Sequence, residues 1–334
     1  MNIKKEVKAL GYWWYQPMQY GDYRVPCKYD GVQHKDSYGL GKFNYYIKPL
    51  LNQIPNRFKF YEMGTNAGQF LIEAHKMGFQ HIYGIEEQDG FYPQLEFTKK
   101  FYPEANLNIR KDLLDGNFDT DNEPMVDVLL MSNLHYWIPD PVLAIYLKKL
   151  QQKAIYIIIV SSNSKDNRTG VIKKFKDWEL LNTITTKFKG KGVRSLTSYL
   201  FKNKNLYSLN TVDEFNTMVN LSERHDKEFN NYFKVFCERA LAGKVNDVHD
   251  EELYKALTTV GMIDHVKRGP NAHKRPMNWK KFILDIRDNG QKSPITQRKF
   301  LVPNKDPKDL KDGHHRLAML HYLKIPYIYA RKES

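Results

Sequence analysis

Two glycines and an acidic residue in the segment EMGTNAGQF (62–70) are the first residues whose types and spacing could bind a ligand. Gly64 permits a tight turn after a strand, and Gly68 lets the following helix pack close to that strand. The spacing is GxxxG, and Glu62 precedes the turn, which favours a neutral or cationic adenosyl ligand over a pyrophosphate. The predicted binding residues of this loop are Glu62, Gly64, Thr65, Asn66 and Gly68.

Polar residues also end the next three strand-like runs. Glu86 closes HIYGIE and Glu87 follows it, about 20 residues beyond the loop, the distance at which a carboxylate accepts the two ribose hydroxyls of an adenosyl group. Either could make this contact, and Glu86 is the predicted ribose-binding residue. Asp112 ends the third run, where a carboxylate can take the adenine amino group. Asn133 and His135 follow the fourth run. Because the carboxyl ends of parallel strands meet at one edge of a sheet, we expect all four side chains at the same edge.

This series resembles the class I S-adenosylmethionine-dependent methyltransferases. Within them, residues 12–160 resemble the methyltransferase-like family that modifies the wobble uridine of tRNA, through WWYQP, GVQHKDSYGLGKF, EMGTNAGQF, IYGIEE and LHYWIPDPVLAIYLKKL. His135 precedes Tyr136 here, a departure from the family's tyrosine-histidine order. The resemblance implies a Rossmann-like sheet and S-adenosyl-L-methionine as the cofactor.

His135 has two alternative roles. A histidine has an unperturbed pKa near 6.5, so His135 is a candidate catalytic base for an acceptor hydroxyl. The alternative is a ring that packs beneath the ligand, since methyl transfer from a sulfonium often needs only alignment.

A second constellation, DGHHR (312–316), lies near the carboxyl end of the sequence. A glycine turn into a helix directs backbone N–H groups at one point, and a following arginine binds phosphate bidentately. Asp312 is a candidate catalytic base or Mg²⁺ ligand, with helix capping as the alternative; no metal ligand set is assigned. The residues predicted to bind the phosphates of a nucleotide are Gly313, His314, His315 and Arg316.

Residues 276–332 resemble the ParB/sulfiredoxin-like superfamily. The likeness runs through a helix, Asn289-Gly290, Pro294-Ile295, DGHHR and Ile325-Pro326. It implies a nucleotide-binding module, with ATP or another NTP and Mg²⁺ as ligands and a kinase as the favoured activity. Sulfinic-acid reduction needs a cysteine in the phosphate loop, and none follows Cys237.

Short apolar runs alternate with helical patterns between residues 58 and 205, which predicts an α/β fold with a mostly parallel sheet and helices on both faces. The last of these runs, 195–203, is predicted to be an edge strand. We divide the chain into an aromatic N-terminal cap (1–57), a methyltransferase-like domain (58–210), a helical connector (211–275) and a small α+β ParB/sulfiredoxin-like domain (276–334). In the cap, Trp13, Trp14 and Tyr15 either stack on a ligand or fill its core, and core is favoured for two of the three.

The net charge of +14 is concentrated in two segments, with +8 over 165–205 and +11 over 265–334. This indicates an anionic partner, nucleic acid included, with a solvated lysine-rich surface as the alternative. Cys27 and Cys237 show no disulfide or zinc spacing, and no apolar run reaches the length of a membrane span. The N-terminus has no signal-peptide pattern, so a cytoplasmic protein that does not insert in a membrane is expected.

Three functions follow from these features. The leading hypothesis is a bifunctional enzyme that methylates a small hydroxylated metabolite or glycan and carries a C-terminal nucleotide-binding module, with a kinase as one option for that module. The alternatives are an RNA methyltransferase whose basic C-terminal module binds nucleic acid, and a non-enzymatic nucleic-acid-binding regulator.

Overall fold

The computed structural model describes residues 2–11, 13–27, 39–113, 123–135, 137–162, 168–186, 196–210, 227–245, 250–259, 279–289, 291–292, 295–297, 310–312 and 314–332 of the 334-residue chain. The chain forms two compact units. The first contains Met1–Asp121 and Val126–Lys204, and the second contains Asn122–Met125 and Asn205–Ser334.

A seven-stranded sheet organises the first unit. Its strands, after a short hairpin of β1 (Gln19–Tyr20) and β2 (Tyr23–Arg24), are β3 (Lys59–Met63), β4 (His81–Glu86), β5 (Leu107–Lys111), β6 (Val126–Ser132), β7 (Ala154–Ser162), β8 (Trp178–Thr186) and β9 (Leu196–Asn203). The order across the sheet is β5-β4-β3-β6-β7-β9-β8. The first five of these are parallel, and β9 pairs antiparallel with both β7 and β8. This confirms the predicted α/β class and Rossmann-like sheet.

The predicted edge position of residues 195–203 is wrong. The strand Leu196–Asn203 lies between β7 and β8, and β8 forms the edge. Like β3 and β6, β9 is buried along almost its whole length. Both faces of such a strand are covered, so its sequence lacks the polar alternation that marks an exposed strand.

Helices cover both faces of this sheet. The helices of the first unit are α1 (Ile3–Ala9), α2 (Gly39–Lys42), α3 (Lys48–Leu51), α4 (Gln69–Lys76), α5 (Tyr92–Phe101), α6 (Asp140–Leu150) and α7 (Arg168–Lys174), with a π-helical turn at Phe43–Ile47 between α2 and α3 and a 3₁₀ turn at Pro103–Ala105. One core joins Phe60 and Leu130 to α4, α5 and the N-terminal segment. The other joins the alternate strand residues Tyr61 and Leu129 to α6 and α7.

The second unit contains a smaller sheet with the order β10-β13-β11-β12. Its strands are β10 (Leu206–Asn210), β11 (Ile295–Gln297), β12 (Leu310–Asp312) and β13 (Tyr327–Lys332), and its helices are α8 (Lys227–Leu241), α9 (Glu251–Thr259), α10 (Trp279–Asn289) and α11 (His314–Tyr322). One apolar core contains Phe236 of α8, Leu253 of α9, Ile283 of α10, Leu317 of α11 and Ile328 of β13. The helices of the predicted connector therefore share a core with the C-terminal helix and strand.

The division of the chain into four segments stays a prediction. Strand β10 pairs along its length with β13, from Leu206 opposite Arg331 to Asn210 opposite Tyr327. Two parts of the predicted helical connector, 211–226 and 260–275, lie outside the described residues.

Candidate functional site

The crevice of the large sheet lies at the carboxyl ends of β3 and β6. These two strands are neighbours, with Met63 opposite Met131. The chain leaves β3 towards α4 on one face and leaves β6 towards α6 on the other. Sheets of this kind bind ligands where the strand order reverses in this way, outside the carboxyl ends of the strands.

The loop after β3 closes the crevice with a tight turn. Gly64 has a φ of +73°, and its amide donates to the Ile85 carbonyl oxygen at 2.9 Å. The Thr65 amide donates to the same oxygen at 3.0 Å. A Cβ on Gly64 would lie 3.3 Å from Leu134 Cδ1, so a side chain here would be strained and crowded. The loop thus needs glycine at position 64, as the sequence predicts.

Glu86 holds the shape of this loop. Its Oε2 accepts a hydrogen bond from the Asn66 amide at 2.7 Å, and its Oε1 accepts one from the Gln88 amide at 3.0 Å. The side chain is almost fully buried; desolvation raises the pKa of Glu86, and the backbone hydrogen bonds oppose that rise. The Glu87 amide is a third backbone donor to this carboxylate. Because an ionised carboxylate has about four acceptor positions, the three bonds still leave capacity for one ligand hydroxyl.

Gln16 caps the N-terminus of α4. The helix begins after Gly68, whose φ is +84°. The Gln16 side-chain oxygen accepts from the Gln69 amide at 3.1 Å, and Gln69 Nε2 donates to the Pro17 carbonyl oxygen at 2.7 Å. The N-terminal segment therefore satisfies a helix amide that would otherwise be available to an anion.

Glu62 is a buried carboxyl group at the end of β3. Its side chain is 1% exposed, and its Oε2 has no hydrogen-bond partner among the described residues. Desolvation raises the pKa of Glu62 well above its ordinary value; the positive charge of Lys42 lowers it and the negative charge of Glu86 raises it further. A buried acceptor without a partner is costly, so this oxygen marks a position that a ligand donor can fill.

Lys42 faces the same region from the end of α2. Its ammonium donates to Ser132 Oγ at 3.4 Å and lies 6.0 Å from the centre of the Phe70 ring. Burial lowers the pKa of Lys42 to about 8, and the charge of Glu62 opposes that shift.

Asn133 and His135 follow β6, as predicted. Asn133 has a φ of +57°, and its amide donates to the Val160 carbonyl oxygen at 2.8 Å. With its side-chain amide oriented to satisfy its neighbours, the nitrogen donates to Val160 O at 3.2 Å and the oxygen accepts from Lys42 Nζ at 3.1 Å. The His135 ring is fully buried, which favours the packing role, and the catalytic role of His135 stays a prediction.

Asp112 lies beside an open groove just past β5. Its carboxylate is 3.2 Å from Arg110 Nε and accepts from the Leu113 amide at 2.9 Å. The groove has a volume of about 670 Å³ and is lined by Glu87, Gln88, Asp89, Gly90, Lys111, Asp112 and Leu113. It extends from the ends of β4 and β5, where the sequence places the ribose and adenine contacts.

The aromatic residues of the N-terminal cap divide between core and surface. Trp14 is buried and packs edge to face on Tyr20, with 6.0 Å between ring centres. Trp13 is 42% exposed and packs edge to face on Phe91, with 5.3 Å between ring centres. Tyr15 also packs on Phe91.

Only part of the DGHHR segment (312–316) is described by the structure. Strand β12 ends at Asp312, and α11 begins at His314, where the sequence predicts the start of a helix. Gly313 and the side chains of Asp312, His314 and His315 lie outside the described part of the structure. Arg316 is half-buried on the first turn of α11. The phosphate-binding roles of these residues stay predictions.

Two site residues were not predicted from the sequence. Lys42 lies in GLGKF (39–43) and Gln16 in WWYQP, both of which contribute to the family resemblance, but neither has a local pattern that indicates its partner. Their partners, Ser132 and Gln69, are far away in the sequence. Among the described residues, no three His, Cys, Asp or Glu side chains form a metal-binding group. None of the described helices is both long and apolar enough to cross a membrane.

Neither a protein-family model nor a curated protein sequence matches the chain. The N-terminal domain of EvdMO1, solved in the presence of SAH and D-fucose, is 14% identical with a TM-score of 0.46, over 61% of this chain and 98% of that one. TehB from Haemophilus influenzae is 14% identical with a TM-score of 0.36, over 47% of this chain and 62% of its own.

A TehB-like SAM-dependent methyltransferase from Corynebacterium glutamicum is 17% identical with a TM-score of 0.36, over 47% of this chain and 86% of its own. Similarities this low do not assign a function. The two finer family resemblances, to wobble-uridine enzymes and to ParB/sulfiredoxin-like proteins, stay predictions.

Proposed function

We propose that the first unit is a methyltransferase that uses S-adenosyl-L-methionine. The loop after β3, the carboxylate after β4 and the asparagine after β6 converge on the crevice of a Rossmann-like sheet. The unpartnered Glu62 oxygen at this crevice fits a donor of a bound adenosyl ligand.

The charge of the crevice distinguishes this ligand from a dinucleotide. A pyrophosphate needs free amides at the helix N-terminus, but Gln16 already accepts from the Gln69 amide. A diphosphate beside Glu62 and Glu86, two buried acids against the one buried lysine Lys42, would disfavour their ionised forms further. A sulfonium has the opposite charge. The capped helix beside two buried acids is the observation that carries the proposal.

The residues have separate proposed roles. The Gly64–Asn66 backbone forms the floor of the site, Glu86 accepts ribose hydroxyls, and Asp112 accepts the adenine amino group in the groove beyond β5. When bound, the cofactor supplies an activated methyl group, so the protein's main task is to align the acceptor with it. The acceptor that we propose is a small hydroxylated metabolite or glycan.

The second unit is proposed to bind a nucleoside triphosphate. The observation that favours this is the start of α11 at His314, within the DGHHR sequence, because a helix N-terminus attracts phosphate. Arg316→Ala is expected to weaken ATP binding about 10- to 100-fold through loss of a charge-assisted contact. Equal ATP affinity of the two proteins would contradict the proposal.

Calorimetric titration with S-adenosylmethionine, its homocysteine product and NAD⁺ tests the main proposal. The first two should bind and NAD⁺ should not. Gly64→Ala should abolish this binding. Gly78→Ala is the matched control, because Gly78 also has a positive φ, of +96°, but an added Cβ would meet nothing within 4 Å. Binding of NAD⁺, with no binding of either adenosyl ligand, would refute the proposal.

A further inference from the structure

Two exposed aromatic side chains belong to segments at the carboxyl end of β6. Trp137 is 68% exposed and Tyr45 is 53% exposed. A single exposed apolar side chain is normal on a protein surface, but several beside one crevice mark a binding surface. The contacts of the two segments bring both residues to the same end of β6.

Trp137 lies on the turn that leaves β6. Its amide donates to the Leu134 carbonyl oxygen at 2.8 Å, and the next residue, Ile138, is buried in the core that contains α6. The Leu134 side chain packs against the glycine loop, since its Cδ1 would lie 3.3 Å from a Cβ on Gly64. The turn that carries Trp137 is therefore fixed on both sides, and it contacts the loop assigned to the cofactor.

Tyr45 reaches the same strand end from the N-terminal segment. It lies in the π-helical turn Phe43–Ile47, which directly follows Lys42. The Lys42 ammonium donates to Oγ of Ser132, the last residue of β6, at 3.4 Å, and the turn itself contacts β7, the neighbour of β6. π-Helical turns are rare and occur frequently at functional sites. Tyr45 is thus held within one helical turn of the contact between Lys42 and β6.

The strand order separates this end of the crevice from the cofactor contacts. The strands run in the order β5-β4-β3-β6; Glu86 ends β4, and the groove lies beyond β4 and β5. An adenosyl group held by Glu86 and Asp112 therefore covers the side of the crevice that borders β4 and β5. The acceptor has to approach from the other side, beside β6, where Trp137 and Tyr45 lie.

The charged residues of the crevice disfavour an acceptor with a negative charge at this point. Glu62 and Glu86 are buried at the ends of β3 and β4, with the buried Lys42 beside them, and Glu87 lines the groove. Desolvation already raises the pKa of both buried acids, and a phosphate nearby would raise it further. An uncharged group adds no such penalty.

Tryptophan and tyrosine side chains suit a ring-shaped ligand. Their flat faces make many dispersion contacts with another ring, or with the C–H groups on the flat face of a sugar. Each has only two side-chain torsions, so fixing it on a ligand costs little conformational entropy. Two such side chains at one strand end therefore match an acceptor that contains an uncharged ring.

We propose that Trp137 and Tyr45 are specificity-determining residues that stack on an uncharged ring of the acceptor, a sugar or an aromatic ring, beside β6. The inference rests on the proposed function and deepens it. It names the part of the acceptor that the protein recognises, and it excludes acceptors that carry phosphate on this ring.

The test measures dissociation constants by ligand-observed NMR on the full chain saturated with S-adenosylhomocysteine. Methyl β-D-glucopyranoside and phenol are the uncharged probes, and glucose 6-phosphate and phenyl phosphate are their charged counterparts. One uncharged probe should bind more tightly than its phosphate counterpart, and its identity distinguishes a sugar site from an aryl site. Trp137→Leu and Tyr45→Leu should each weaken that probe about 2- to 10-fold, as expected for loss of an aromatic contact. Trp137→Phe keeps a ring and should retain most of the affinity.

The matched control is Trp13→Leu. Trp13 is also an exposed tryptophan, at 42%, but it packs on Phe91 beyond β4, away from β6. This variant should bind the probe as the wild type does. If Trp137→Leu equals the wild type, if neither uncharged probe binds, or if the phosphate compounds bind more tightly, the inference is wrong while the proposed function stands. If the wild type does not bind S-adenosylhomocysteine, the proposed function itself is wrong and the inference fails with it.

Discussion

The side chain of Gln16 reaches the first amide of α4, at Gln69, over a distance of 3.1 Å. A residue of the N-terminal segment thus completes the helix that follows the glycine loop. The consequence is both structural and electrostatic, because the same bond stabilises the helix end and removes an anion-binding donor from the crevice.

Removal of this cap should cost stability. Gln16→Ala is expected to lower the free energy of unfolding by about 1 kcal/mol, as for other lost helix caps. Urea unfolding followed by circular dichroism measures the change. Gln152→Ala, at an exposed position after α6, is the control and should have little effect. Equal stability of the two variants would show that the Gln16 bond contributes nothing.

The methyl group of Thr65 leaves no room for a side chain at Gly84. A Cβ on Gly84 would lie 2.8 Å from both Thr65 Cγ2 and Leu71 Cδ1. Gly84→Ala is therefore expected to destabilise the protein by about 1 to 3 kcal/mol through overpacking. Adding Thr65→Ser removes one of the two contacts and should restore part of the loss. Strict additivity in this double-mutant cycle would contradict the packing account.

Lys42 should make stability depend on alkaline pH. Its pKa is about 8 in the folded protein and 10.5 as the ordinary value, so the unfolded chain holds the proton over a range in which the folded chain does not. The charged form is the costly one in the fold. Its contribution to stability therefore rises as the pH increases from 8 to 10.5, by up to about 3 kcal/mol.

The measurement compares wild-type protein with Lys42→Met in urea at several pH values. Because the variant lacks this group, any stability advantage that it has at pH 7 should shrink towards pH 10. Removal of the Lys42 charge also raises the pKa of Glu62, so the comparison is repeated in a Glu62→Gln background, where only the titration of Lys42 differs. The exposed Lys148→Met serves as the control. Parallel pH curves for wild type and Lys42→Met would refute this prediction.

Asp127 should matter for stability but not for ligand binding. Its Oδ2 accepts from the Phe58 and Lys59 amides, each at 2.9 Å, at the amino ends of β3 and β6. Its charge also favours the protonated form of the buried Lys59. Asp127→Ala is expected to cost about 3 to 5 kcal/mol, as when one partner of a buried charge pair is removed. A lower affinity of the folded variant for S-adenosylhomocysteine would contradict this separation.

The sequence predicts the sheet better than the side-chain contacts around it. Apolar runs alternate with amphipathic helices, so β3, β4, β6 and β7 and the glycine turn between β3 and α4 follow from periodicity. The edge position of 195–203 fails because β8 (Trp178–Thr186) was not predicted, and a sheet's edge is known only when all of its strands are. The contacts of Gln16 and Lys42 are tertiary and have no signature at short range.

The central claim is that the crevice binds S-adenosylmethionine. Equilibrium dialysis of the purified full-length protein with radiolabelled S-adenosylmethionine tests this most directly. We expect saturable binding of one molecule per chain, displaced by S-adenosylhomocysteine and not by NAD⁺. The binding should be lost in Gly64→Ala and retained in Gly78→Ala. No saturable binding to the wild type, or equal retention of binding in Gly64→Ala, would contradict it.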